Sequence, residues 1–308
     1  MLAQPRLTYG DPVSRSTMSS KVLYTFGGSV WAAAAELAAA ELGYTDSTLT
    51  FKTVNLIEGE NFTAEFLQKA RPNHILFKDL AHMPIQNPNA TLPTLEADGK
   101  FYTSTAEVIS HLAANAPNKV KAGTSIVETI HDDKYDPNFA LLLARSDEEL
   151  SAKAKGVPGL FVSKRQAAID KYLQDATGSH KEFLEGKKAT NGGLLAIVTG
   201  AAPAEHTAGF YAKSQAHFAS IKTALFEVVP GFLPESGFIA GEVPGEDDFH
   251  VGAWLTRIAA TTGATSAADG LDKLAAAYGS PLPSKITAYW AAWTARDSWK
   301  KVYATALH

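Results

Sequence analysis

The sequence predicts a two-domain chain, with a small α/β unit over residues 21–117 and an all-helical unit over residues 118–308. Three observations predict it. Near the start, a short β-branched run, an Ala-rich helical run and a second β-branched run follow one another at the spacing of a strand–helix–strand crossover. Further on, Asp98-Gly99 between two short apolar runs is a strong hairpin signal. Beyond Ala116-Pro117-Asn118 strand signals nearly vanish and helical periodicity takes over.

Taken in order, residues 1–20 lack the apolar middle of a secretory signal and are expected to form a disordered tail, with Met18 as an alternative start. Val22-Leu23-Tyr24-Thr25-Phe26 reads as the first strand, ended by Gly27-Gly28. Ser29 suits an N-cap, and residues 31–42 form an Ala/Glu/Leu-rich helix closed by Gly43. The alternating run 48–56 gives a second strand parallel to the first. Residues 64–70 suggest a turn or two of helix inside an irregular stretch, 57–86. The hairpin and a helix over 106–115 complete the unit. Helices are then expected at 137–154, 163–188, 205–229, 249–261, 269–278 and 284–305. The breaks are Gly156-Val157-Pro158-Gly159, Asn191-Gly192-Gly193, Pro230-Gly231 and Pro281-Leu282-Pro283.

Composition narrows the function classes. A hydrophobic content of 45% with 19% charged residues describes a globular chain, and a net charge of −4 gives no electrostatic case for nucleic acid. No apolar run reaches the length of a membrane span, and a cytoplasmic location is the default expectation. The chain has no cysteine, which removes disulfides, thiolate metal sites and any protein-thiol nucleophile. Asn61-Phe62-Thr63 and Asn89-Ala90-Thr91 match the glycosylation pattern but are expected to stay idle. Gly27-Gly28-Ser29-Val30-Trp31 fails the hydrolase nucleophile elbow at Trp31, and no P-loop or dinucleotide fingerprint occurs.

The stretch Asn87 to Leu112 holds the chemistry. Leu92-Pro93 places a proline within a strand, a mark of an edge or a cis bond beside backbone groups free to pair with an extended ligand. Ser104 and Thr105 then stand at a helix mouth, where free N–H groups favour an anion. These residues describe a site for a small peptide or carboxylate without naming it.

The order of elements, with Leu-Pro before the hairpin, resembles the cytosolic glutathione transferase superfamily. Four matches spread over the chain beyond residue 20 carry the resemblance. They are Ser29 ahead of the first helix, Asn87-Pro88-Asn89-Ala90-Thr91-Leu92-Pro93-Thr94-Leu95, Ser104-Thr105-Ala106-Glu107-Val108-Ile109, and Gly245-Glu246-Asp247-Asp248-Phe249-His250. The resemblance implies a thioredoxin-like N-terminal domain, an all-α C-terminal domain and a serine-type, fungal-type member. It implies glutathione as co-substrate, no metal, and conjugation to a hydrophobic, aromatic electrophile, with glutathione-peroxidase activity as a companion. It also implies a homodimer, while charge and hydropathy leave no expectation of a nucleic-acid or membrane partner. Ser29 would stabilise the thiolate, Leu92 and Pro93 would hold the cysteinyl part of the tripeptide, and Ser104 and Thr105 would bind its γ-glutamyl carboxylate.

Other readings stand beside these. The family more often carries an acid at the position of Ser104, where it pairs with the γ-glutamyl ammonium. Phe101, Tyr102, Asp98 or the 57–86 stretch are alternative suppliers. Tyr24 and Thr25 are rivals of Ser29, Tyr24 being better suited to the core. Phe139, Phe161, Tyr135 and Tyr172 could wall an acceptor site between the domains, although each also suits the core. Tyr289, Trp290, Trp293, Trp299 and Tyr303 recur at helical spacing and suit a packed face. Asp247, Asp248 and His250 suit capping better than a metal. A non-catalytic, ligandin-like protein for aromatic compounds on the same scaffold is the competing function.

Overall fold

The computed structural model describes residues 21–67 and 87–308. The expected tail, the end of the 64–70 helix and residues 68–86 of the irregular stretch lie outside the described residues.

Alternation sets the sheet. In β1 (Lys21–Thr25), Leu23 faces one side and Val22 and Tyr24 the other, and all three are buried, so β1 needs cover on both faces. It pairs in parallel with β2 (Leu49–Thr53) and antiparallel with β3 (Thr94–Ala97), which forms a hairpin with β4 (Lys100–Tyr102). The order is β2-β1-β3-β4. The hairpin turns at Asp98 and Gly99, both at positive φ (52° and 73°), the geometry that Asp-Gly favours. Helix α1 (Val30–Glu41) crosses from β1 to β2 and α3 (Thr105–Ala114) follows β4, so the expected strand–helix–strand and hairpin–helix order is present.

The run of small residues in α1 has a structural cause. Ala32, Ala33, Ala34, Ala35, Ala38 and Ala39 are all buried, because α1 lies between the sheet and a central helix of the second domain, α11 (Glu246–Thr261). Leu23, Leu49 and Leu95 of the sheet join α1, α3 and α11 in one continuous core. The opposite face carries a smaller cluster of Val22, Tyr24, Val54, Phe66 of the short helix α2 (Ala64–Leu67) and Leu92. Arg296 clasps the two domains, gripping Glu41 of α1 through Nε and Nη2 at 2.6 Å each.

The second domain is helical throughout its named elements, but its breaks differ from expectation. The 137–154 helix is two, α5 (Pro137–Leu142) and α6 (Asp147–Lys155), because Ser146 caps a new start by accepting from the Glu149 N–H. Gly156 ends α6 as expected, but it also caps α7 (Val157–Leu173), which starts at Val157 and not at 163 because a first-turn proline loses no intrahelical bond. Asn191-Gly192-Gly193 lies inside α8 (Gly178–Val198). There the buried Asn191 amide donates to the Val162 carbonyl and to Gln166 of α7, so packing overrides weak local propensity. Helix α4 (Ser125–Ile130) was not legible beforehand. Helix α9 (Ala204–Thr223) runs through a π-helical turn into α10 (Val229–Phe232). The 284–305 helix is split by extended Arg296 into α13 (Ser284–Ala295) and α14 (Asp297–Val302).

Helix α12 (Ala267–Tyr278) and α13 pack near α11 through aromatic residues. Tyr289, Trp290, Trp293, Trp299 and Tyr303 are all buried, as their spacing predicted. Gly252 of α11 permits this: a Cβ there would meet the Trp293 ring at 2.5 Å. The start of α11 is held by its acids. Asp248 accepts from the backbone N–H groups of Ile239 (2.8 Å), Ala240 (3.1 Å) and Gly245 (2.9 Å), and from the Tyr289 hydroxyl (3.0 Å). Asp247 accepts from the N–H and hydroxyl of Thr124, the cap of α4. Asp247 and Asp248 are thus capping residues, whereas His250 caps nothing and pairs with His131; no cluster of three or more potential metal ligands occurs among the described residues.

Candidate functional site

The strand registers bring the predicted site residues to one end of the sheet. Tyr24 lies opposite Thr94, so the chain leaving β1 passes the chain entering β3. Leu95 lies opposite Tyr102, so the exit of β4 reaches the same end. Three segments therefore share this edge: the Gly27–Ser29 turn, the Leu92–Pro93 bend and the Ser104–Thr105 helix mouth.

Ser29 is the N-cap of α1 in extended conformation, its hydroxyl accepting weakly from the Ala32 N–H at 3.4 Å. A turn bond from the Ser29 N–H to the Phe26 carbonyl (3.0 Å) and a left-handed Gly28 (φ 110°) fix its approach. The partly exposed Ser29 hydroxyl can still donate to a ligand at the positive end of the helix dipole. Its rivals are engaged elsewhere. The Tyr24 hydroxyl donates to Glu96 at 3.0 Å, and burial, reinforced by Glu96, pushes the phenol well above its usual range. The Thr25 hydroxyl donates to Glu36 of α1, whose carboxyl is pushed up by burial.

The Leu92–Pro93 peptide is cis, as the sequence suggested. Asn87 shapes the loop before it: buried, it donates to the Thr91 carbonyl (3.0 Å) and the Thr94 hydroxyl (2.9 Å). Asn61 adds a bond from its amide to the carbonyl of left-handed Ala90 at 2.8 Å. Burial at 1% exposure gives that Asn a structural role incompatible with a glycan. Among the described residues the Leu92 N–H and C=O have no hydrogen-bond partner, which leaves them for an extended ligand.

Ser104 caps α3, and Thr105 is its first residue and buried. The cap is reciprocal: the Ser104 hydroxyl accepts from the Glu107 N–H (3.2 Å) and donates to the Glu107 carboxylate (2.9 Å). Ser104-Thr105-Ala106-Glu107 is the capping-box pattern, a local signal for an exposed carboxylate beside Ser104 that the reading of the sequence left unused. The mouth thus offers free first-turn N–H groups for a carboxylate and, alongside, an acid for an ammonium.

Behind the site, Trp31 of α1 stacks on His131 at 3.9 Å, and His131 Nε2 is hydrogen-bonded to His250 Nδ1 of α11 at 2.8 Å. Burial pulls His131 down to about 4, and burial followed by its neighbour pulls His250 well below its usual value, so both are neutral at pH 7. The four aromatics considered for an acceptor wall do not form one surface. Tyr135 belongs to the main core, Phe139 packs on Phe210 and His217, Tyr172 joins the separate cluster of Phe62, Ile169 and Leu184, and Phe161 lies near Arg165.

No protein-family model and no curated protein matches the chain. Solved structures resemble it at low identity. The beta-etherase LigF from Sphingobium sp. strain SYK-6 is 14% identical with a TM-score of 0.49, over 92% of this chain and 98% of that one. Glutathione transferase F2 from Populus trichocarpa is 12% identical with a TM-score of 0.47, over 92% and 96%. A glutathione transferase homologue from Sulfitobacter, solved with bound glutathione, is 15% identical with a TM-score of 0.45, over 92% and 97%. The architecture described above stands on this chain's own strand order and register.

Proposed function

We propose that this protein is a glutathione transferase that joins glutathione to hydrophobic, aromatic electrophiles, with the thiolate stabilised by the Ser29 hydroxyl. The observation that carries the reading is the meeting, at one sheet end, of a helix-capping hydroxyl, a cis-proline bend with free backbone groups and a second helix mouth. On this reading the thiol lies at Ser29, Leu92 and Pro93 hold the cysteinyl backbone, and Ser104 and Thr105 bind the γ-glutamyl carboxylate. Glu107 takes the γ-glutamyl ammonium, the task that Ser104 alone performs poorly. The free thiol is mostly protonated at neutral pH, so a donor and a helix dipole that favour its anion raise the reactive fraction. A cytoplasmic homodimer is proposed on the resemblance alone, as is peroxidase activity through the same thiolate.

Ser29→Ala is expected to lower conjugation with a chloronitroarene at neutral pH by about 10- to 100-fold, equivalent to one to two pKa units of the bound thiol. An unchanged rate sinks the assignment of Ser29, and turnover absent from the unsubstituted protein favours the ligandin-like alternative. Glutathione binding itself is tested by calorimetry. Glu107→Gln, which keeps the cap and removes the charge, is expected to weaken glutathione about tenfold while leaving a deaminated analogue unaffected. Equal losses for both ligands would remove Glu107 from the site.

A further inference from the structure

Among the described residues, one buried charge in the helical domain has no carboxylate paired with it. Arg257 of α11 is 5% exposed, and its Nη2 donates a close hydrogen bond to the carbonyl of Gly28, the residue before Ser29. Its Nε is buried without an acceptor, and among the described residues no acid forms an ion pair with it. Asp136 acts on it only at a distance, its own carboxylate being spent on the Asn138 and Phe139 N–H groups that start α5. Tyr303, also close enough to act on it, is buried with its hydroxyl unpartnered. Burial brings Arg257 down to about 10, which still leaves it charged at neutral pH.

A buried cation without a counter-ion is costly, and a hydrophobic residue at this position of α11 would remove that cost. What the guanidinium does hold is the peptide that delivers Ser29, at a glycine with φ 110°. The Gly27 side of this turn is open, since a Cβ there would meet nothing within 4 Å. An anion placed at Ser29 would therefore lie across one peptide unit from the unanswered charge, within range of an attraction weakly screened by protein.

We propose that Arg257 is a positioning residue for the thiolate: it fixes the Gly28 carbonyl and supplies, from the second domain, the positive charge that the bound thiolate answers. The inference rests on the reading of Ser29 as the thiolate site. It makes the sheet domain's site incomplete without α11.

The test is a pH titration of thiolate absorbance for glutathione bound to the unsubstituted protein, Arg257→Gln and Arg257→Lys. Gln retains a donor for the Gly28 carbonyl and loses the charge; Lys retains the charge. The expected result is an apparent thiol pKa about one unit higher in Arg257→Gln, a tenfold loss of thiolate at neutral pH, with Arg257→Lys within about threefold of the original. Affinity for S-methylglutathione, which carries no thiolate, is expected to change less than threefold in both. Arg257→Gln titrating like the unsubstituted protein, or Arg257→Lys falling as far as Arg257→Gln, overturns the proposal. If Arg257→Gln does not fold, the NMR signal of the Arg257 Nε–H in the unsubstituted protein decides. It is expected to shift as the bound thiol titrates, and indifference to that titration overturns the proposal. Failure of the unsubstituted protein to bind glutathione would instead remove the Ser29 reading and this inference together, an outcome distinct from an unaltered variant.

Discussion

Asp248→Ala is expected to destabilise the protein by about 3–5 kcal/mol, the largest loss foreseen for one substitution. The carboxylate is fully buried and answers three backbone N–H groups and the Tyr289 hydroxyl. Alanine leaves the buried Gly245 N–H and Tyr289 hydroxyl without an acceptor and frees the half-buried Ile239 and Ala240 N–H groups, so the cost is mainly the desolvation of the buried pair and not the mean value of a hydrogen bond. Burial pushes the Asp248 carboxyl up while its four donors pull it down, and burial prevails; the donors nonetheless depend on its oxygen atoms in either charge state. Set against a typical stability of about 5–15 kcal/mol, the loss would bring the helical domain close to unfolding at ambient temperature. Urea unfolding followed by tryptophan fluorescence measures it, because Trp254, Trp293 and Trp299 lie on or beside the helix that Asp248 starts. A loss below about 1 kcal/mol would show that the 238–245 loop finds other acceptors.

Acid is expected to weaken the junction between the domains through His131 and His250. Burial holds the folded-state value of His131 at about 4, below the 6.5 of an exposed imidazole. Between those values the unfolded chain binds more protons, so stability is full above about pH 6.5 and falls as pH drops towards 4. For His131 the gap amounts to about 3 kcal/mol, and His250 adds to it in the same direction. The carboxyls of Glu36 and Glu246, pushed up by burial, act in the opposite sense. The pH dependence is therefore read against His131→Gln, which preserves an amide partner for His250 but does not titrate. The unsubstituted protein is expected to lose about 3 kcal/mol more than this variant between pH 7 and pH 4. Parallel curves would mean that the pair is wet or already protonated.

How much of this was legible in the sequence depends on the range of the interaction concerned. Short-range devices were readable: the Asp98-Gly99 turn, the Gly43 stop after α1, the Asp248 cap and the Leu92–Pro93 bend all follow from local backbone chemistry. The parallel crossover from β1 to β2 and the β3–β4 hairpin were readable too, whereas the antiparallel pairing of β3 with β1, a long-range contact that sets Leu23 opposite Leu95, was not. Helix breaks in the second domain were not readable where packing decides. Asn191 spans α8 and α7 and so keeps a glycine pair helical, and Arg296 turns out of a helix to reach Glu41, 255 residues away in sequence. At the candidate site, Ser29, Leu92, Pro93, Ser104 and Thr105 were nominated beforehand, and all lie at one end of the sheet. The placement of Glu107 beside Ser104 was signalled by the capping-box pattern but not fixed by it, because it depends on a side chain turning back to its own cap. Arg257 gave no signal at all, since its relation to Gly28 spans 229 residues and two domains.

The central claim is that glutathione lies along this sheet end, and a crystal structure of the protein soaked with glutathione tests it most directly. Density is expected with the sulfur at the Ser29 hydroxyl, the cysteinyl backbone paired with the N–H and C=O of Leu92, and the γ-glutamyl carboxylate on Ser104 and Thr105 with its ammonium facing Glu107. Glutathione bound elsewhere, or a site left empty at saturating concentration, would contradict it.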